Sequence, residues 1–151
     1  MLKGYRKGEP WDSPHNLQFV EKMPKVYRHP MAGADVPAGH THYRVFVSPR
    51  NAAGPSAIFR DGSPGRSMIG ITDGNSNTIL VVEAAEAVPW TKPEGLQYDA
   101  GKPLPKLGCY FRGGFNALLA DGSTRFFRDS MREATLRAYI TADGGEVIRD
   151  D

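Results

Sequence analysis

The segment FNALLADGSTRFF, residues 115–127, constrains this chain more than any other part of it. Two strand-like apolar runs stand on either side of Asp121-Gly122. Asp-Gly is favoured in two-residue hairpin turns, where both central residues need positive φ. The pattern therefore predicts an antiparallel hairpin, residues near 115–120 against residues near 123–128, with Asp121 and Gly122 as its structural turn.

Other strands are written less sharply. NTILVVEAAEAV, residues 77–88, holds Ile79, Leu80, Val81 and Val82 in succession, which suggests a strand buried on both faces. Its Ala- and Glu-rich back half suits a helix by propensity, but the strand reading is preferred. HYRVFVS, residues 42–48, is rich in β-branched and aromatic residues and predicts another strand.

Two short helices are expected. Ser13 is an N-cap candidate with Pro14 in the first helical position, and Leu17, Val20 and Glu21 follow until Pro24 stops the run. Near the other end, Ser130 and Glu133 form a capping-box pattern ahead of Leu136, Tyr139 and Ile140. That helix should run from about Glu133 to Ala142, with Asp143-Gly144-Gly145 closing it and EVI, residues 146–148, adding a last strand. Residues 29–41, 49–67 and 90–108 read as loops, in keeping with 17 Gly and 12 Pro. Together these elements predict an α+β fold, an antiparallel-sheet-rich domain with short helices and long loops. A length of 151 residues suits one domain spanning 1–151.

Several function classes are disfavoured by composition. A net charge of +2 is too small to point to nucleic acid. The lone Cys109 can form no internal disulfide and no multi-cysteine zinc site. No apolar run approaches the ~20 residues that cross a bilayer. The opening stretch, MLKGYRKGEPWDSPHN, has no hydrophobic signal region.

Four groups of residues carry candidate chemistry. His40 and His42, two apart on a strand, would share a face and could bind zinc or copper with His29 or His15 as a third ligand. Asp73, Asn75 and Asn77 alternate as oxygen ligands do in a calcium loop, but Thr78 and Ala84 stand where such a loop needs Gly and Glu. The bland alternative for that trio is a turn held by side-chain bonds to nearby amides. Glu83 and Glu86 are the nearest thing to a catalytic carboxylate pair, yet no nucleophile or base has a recognisable place beside them. Trp11, Trp90, Tyr98 and Tyr110 lie in or beside loops, where aromatics either pin the loop to a core or form a sugar- or protein-binding surface. The expectation is a protein without catalytic machinery, metal or cofactor. Trp90, Tyr98 and Tyr110 are the candidate ligand- or partner-binding residues.

ITDGNSNTILVVEAAEAVPWTKP, FNALLADGSTRFF and LRAYITADGGEVI, in that order, resemble the C-terminal part of a large family of planctomycete pseudopilin-like secreted proteins. EPWDSPHN and HTHYRVFV resemble one subgroup of it. The family is defined by a His, nine residues, then Asp-Gly; Asp121 and Gly122 match, whereas Phe111 occupies the His position. The resemblance implies a pilin-like globular domain that follows a hydrophobic N-terminal helix in the longer family architecture, and a place in the cell envelope or outside the cell. It implies a structural or interaction module with protein partners. A saccharide or small-solute binding module is the first alternative, with the Trp90 loop as a cleft wall. A metal-dependent hydrolase using the four histidines is the second.

Overall fold

The structure, a computed structural model, describes residues 3–146 and 148. It is a mixed α/β fold, mostly strands, with seven strands and one short helix: β1 (His40–Arg44), β2 (Phe46–Ser48), β3 (Phe59–Arg60), β4 (Ile79–Pro89), β5 (Leu96–Gln97), β6 (Gly114–Leu119), β7 (Thr124–Arg128) and α1 (Glu133–Ile140). Four strands form an antiparallel sheet in the order β1-β4-β6-β7, and three form a small parallel sheet in the order β3-β2-β5. No helix among the described residues is long and apolar enough to cross a membrane.

The hairpin forms as β6 and β7, in register from Gly114↔Arg128 to Leu118↔Thr124. Its turn differs from the sequence expectation. The Gly122 amide donates to the Leu119 carbonyl at 3.0 Å and the Leu119 amide to the Ser123 carbonyl at 2.8 Å. Gly122 has φ +88°, while no described residue other than glycine has positive φ. This is a three-residue loop, Ala120-Asp121-Gly122, with the glycine in the left-handed position of a bulge. Asp121 supplies side-chain bonds instead of unusual backbone: its Oδ1 accepts from the Ser123 amide at 2.8 Å and the Ser123 hydroxyl at 2.6 Å.

Strand β4 is extended throughout, including the Ala-rich half that propensity alone would make helical. Tertiary pairing overrides propensity here. The Ala85 amide bonds the Lys106 carbonyl at 3.2 Å and the Gly108 amide bonds the Glu83 carbonyl at 2.8 Å, laying residues 106–108 along β4. The run 42–48 is not one strand. It breaks at Val45, so that β1 joins the large sheet and β2 the small one. The stretches at 49–67 and 90–108 hold the short strands β3 and β5, which pair with the two sides of β2.

A one-residue irregularity in β4 decides which side chains face the core. The register Ile79↔Leu119 becomes Val81↔Leu118 and then Val82↔Ala117, so Leu80 is an extra residue. Ile79 and Val82 are both buried, beside Ala84, Phe115, Ala117, Leu119 and Phe127. Val81 and Glu83 consequently share the opposite, outer face with Leu118 and Asn116. Leu80 itself packs with Ile58, Ile71, Ala120 and Ala142.

Helix α1 covers the core face. Tyr139 and Ile140 are fully buried, and Leu136 is partly buried against the same cluster. The capping box does not form: the N-cap position is Arg132, whose side chain does not cap the helix, and Ser130 lies two residues before it. The helix ends two residues sooner than expected, in an extended Thr141. At the other end of the chain, the expected helix after Ser13 does not form: the Ser13 hydroxyl accepts from the Asn16 amide at 3.1 Å within a turn, and only a 3₁₀ turn, Leu17–Phe19, with Asn16 at its N-cap, follows. Asn16, fully buried, instead ties the turn to residues 6–10 through bonds to both backbone groups of Arg6 and to the Pro10 carbonyl. The expected last strand over 146–148 includes Val147, outside the described residues.

Candidate functional site

The outer face of the large sheet gathers the buried histidines and the buried carboxylate, His29, His42 and Glu83. Residues 28–31 and 108–111 lie over it and bring His29, Cys109, Tyr110 and Phe111 against His42, Tyr43, Glu83 and Asn116. A carboxylate on a strand this apolar needs partners. Glu83, 4% exposed, has them on both oxygens. Oε1 accepts from His29 Nε2 at 3.1 Å, and Oε2 accepts from the Asn116 amide at 2.8 Å, with the Asn116 side-chain amide near both.

The two imidazoles have their tautomers set by backbone groups. The Met31 amide donates to His29 Nδ1 at 3.1 Å, so the ring proton is on Nε2, facing Glu83. His42 Nδ1 faces the Ala84 carbonyl at 3.0 Å and must donate to it, leaving Nε2 to accept from the Tyr110 hydroxyl at 3.3 Å. That carbonyl is free because the β1–β4 ladder slips by several residues between Thr41↔Val88 and Tyr43↔Glu83. Tyr110 stacks on His29 at 4.5 Å and meets His42 edge-on at 5.2 Å. Phe111 sits 6.0 Å from His29 and 6.3 Å from Phe126, ring centre to ring centre. Burial, and then the charge of Glu83, push the Cys109 thiol up to about 11, the reverse of an activated nucleophile. The same two causes raise Tyr43.

Two grooves flank this cluster. One, of about 460 Å³, crosses the outer sheet face and is lined by Val26, Tyr27, Tyr43, Val81, Leu118 and Thr124, with Glu83 and Asn116 at one end. Val26 is 74% exposed on its rim. The other, of about 440 Å³, is more polar and runs between β1 and the small sheet past Trp90, Arg44, Arg60, Asp61, Lys92 and Glu94.

The sequence candidates are dispersed over this frame. Trp90 borders the polar groove but also pins the N-terminal turns, its indole N–H shared between the Phe19 and Val20 carbonyls at 3.0 Å each and its ring stacked on Tyr27. Tyr98, also expected to bind a ligand or partner, is instead a core residue, 3% exposed and edge-on to Phe46. Its place follows from β5, whose pairing continues through the Tyr98 amide to the Val47 carbonyl. Tyr110 belongs to the histidine cluster. His40 and His42 do not act together: His40 Nδ1 lies 3.1 Å from the Ala38 carbonyl, and His42 turns inward. His15 is bonded to the Gly4 carbonyl.

The Asp73-Asn75-Asn77 trio forms a turn. Asp73 uses both oxygens on the Gly144 and Gly145 amides, at 2.7 and 2.8 Å, and Asn77 bonds the Asp73 carbonyl. Among the described residues no three His, Cys, Asp or Glu side chains are grouped to hold a metal ion. Of the carboxylate pair, Glu83 is buried and Glu86 exposed. Sequence reasoning missed Asn116 and the pairing of His29 with Glu83. The available signal was Glu83 itself, an acid inside ILVVEAA, which a buried strand tolerates only with partners. No protein-family model, curated protein or solved structure matches the chain.

Proposed function

We propose that this chain is a non-catalytic interaction module of a pseudopilin-like protein, working in the cell envelope or outside the cell. The observation that carries the reading is the apolar groove on the outer sheet face. Of its polar lining, the Glu83 carboxylate and the Asn116 amide donors are already engaged with each other and with His29, so it offers a ligand mainly apolar area. Apolar protein side chains suit such a surface; a saccharide, which needs unpaired polar partners, does not. Tyr27 and Val26 on the rim are the kind of exposed apolar residues that a protein partner buries. Photo-crosslinking groups placed at positions 26 and 118 in the native cell test this. Protein adducts at both positions, and none at exposed Glu86, are expected. Failure to form position-specific protein adducts would remove the reading.

A second reading, a saccharide or small-solute binding module, draws on the polar groove, where Trp90 stands beside Arg44, Arg60 and Asp61. Binding to a glycan array that is lost in Trp90→Ala but retained in Leu118→Glu would favour it over the first.

A further inference from the structure

We propose that the cover over the outer sheet face is an acid-sensitive latch, closed only while His29 is neutral. The inference follows from counting acceptors. Each neutral imidazole has one ring lone pair to offer, and both are in use: His29 Nδ1 accepts from the Met31 amide and His42 Nε2 from the Tyr110 hydroxyl. A proton arriving at either must displace a donor. The geometry therefore dictates the direction of the response without deciding which group takes the proton first.

The consequences differ by site. At His42 the displaced donor is the Tyr110 hydroxyl, which can rotate and accept instead. At His29 the displaced donor is the Met31 amide, a backbone group with no such freedom. Protonation of His29 therefore sets two N–H groups against each other within the turn closed by the Ala32 amide and the His29 carbonyl. The turn is otherwise tied mainly to itself, since the Arg28 guanidinium bonds the Ala32 and Gly33 carbonyls.

The ionisable groups around the cluster are Arg28 and Asp35 from the first covering segment, and Cys109 and Tyr110 from the second. His42 and Tyr43 face it from β1, and Glu83 from β4. β6 contributes only the neutral Asn116. The one buried anion among them is Glu83, whose attraction for an imidazolium holds the His29 ring while the Met31 turn is expelled. Because Glu83 and Asn116 also floor the apolar groove, release would lengthen that groove. This last consequence rests on the docking reading; the latch does not.

Amide hydrogen exchange followed by NMR tests the proposal. Protection is corrected for the pH dependence of free amides and measured from about pH 7.5 to about pH 5, a range that titrates imidazole. The Met31, Gly108 and Asn116 amides are expected to lose roughly tenfold or more of their protection, while the Leu119, Tyr98 and Ala142 amides keep theirs. In His29→Asn the side-chain oxygen can still accept from the residue two ahead but carries no titrating nitrogen, so the Met31 response should disappear. Unchanged protection in the wild-type protein, or loss in step with the core amides, would overturn the latch. A Met31 response that persists in His29→Asn would overturn the assignment to His29.

Discussion

Gly122 shows how much of the hairpin one residue carries. At φ +88° it occupies left-handed space, and a Cβ added there would meet no heavy atom within 4 Å. Any cost of substitution is therefore conformational, not steric. Gly122→Val is expected to destabilise by ~1–3 kcal/mol, and Gly122→Asn by clearly less, in urea titrations. Asp121-Gly122 made the hairpin readable in the sequence, but not its loop length. Asp-Gly serves both two-residue and three-residue loops, and the choice depends on whether Asp121 or Ala120 begins the turn. The Ala120 and Asp121 amides reach the Thr78 and Asn75 carbonyls, at 2.8 and 3.1 Å, and these distant partners accompany the longer loop. The candidate site was less legible for a related reason. His29, Glu83 and Asn116 are far apart in sequence, and nothing in their local spacing announces that they meet.

At the scale of elements, propensity and periodicity recovered α1 and its start at Glu133, but missed its cap and overran its end. Leu136, Tyr139 and Ile140 were readable as one face; that Arg132 and not Ser130 would stand at the N-cap was not. Burial ranks the face. Ile140→Ala should cost ~2–5 kcal/mol in chemical denaturation, and Leu136→Ala less, because Ile140 is fully enclosed and Leu136 only partly. Ser130→Ala should change stability by less than about 0.5 kcal/mol, where a true cap would lose about 1. Strand β4 teaches the converse. Its Ala-Glu half has helical propensity, and the pairings of Ala84 with Leu107 and of Thr41 with Val88 hold it extended.

Over the whole molecule, the outer-face cluster makes stability depend on pH at the alkaline end as well. The unfolded chain gives up the Cys109 proton near its ordinary value of 9.0, whereas the folded chain keeps it to about 11. Between those limits the unfolded state binds fewer protons, so stability declines as pH rises through the window and levels off above it. Tyr43, also raised, responds above its own ordinary range. The difference between wild type and Cys109→Ala, read by denaturant midpoints at several alkaline pH values, isolates the thiol. The midpoint of Cys109→Ala should fall less steeply across the window. Parallel curves for the two proteins would show that the thiol proton is bound equally well in the unfolded chain.

The extra residue at Leu80 gives β4 a parity. Before it, odd-numbered side chains point to the core; beyond it, even-numbered ones do. Every later assignment on the strand, Glu83 to the outer face and Ala84 to the interior, inherits that single change of phase. Loss of Leu80 itself would leave a regular ladder in which Ile79, Val82 and Ala84 still face the core and Glu83 the outer face. Regular pairing with Leu80 retained would be the inversion, turning an anion inward and its apolar neighbours outward. What preserves the outer-face chemistry is thus the match between one supernumerary residue and one skipped pairing, and a length change at this point keeps the faces only if both go together.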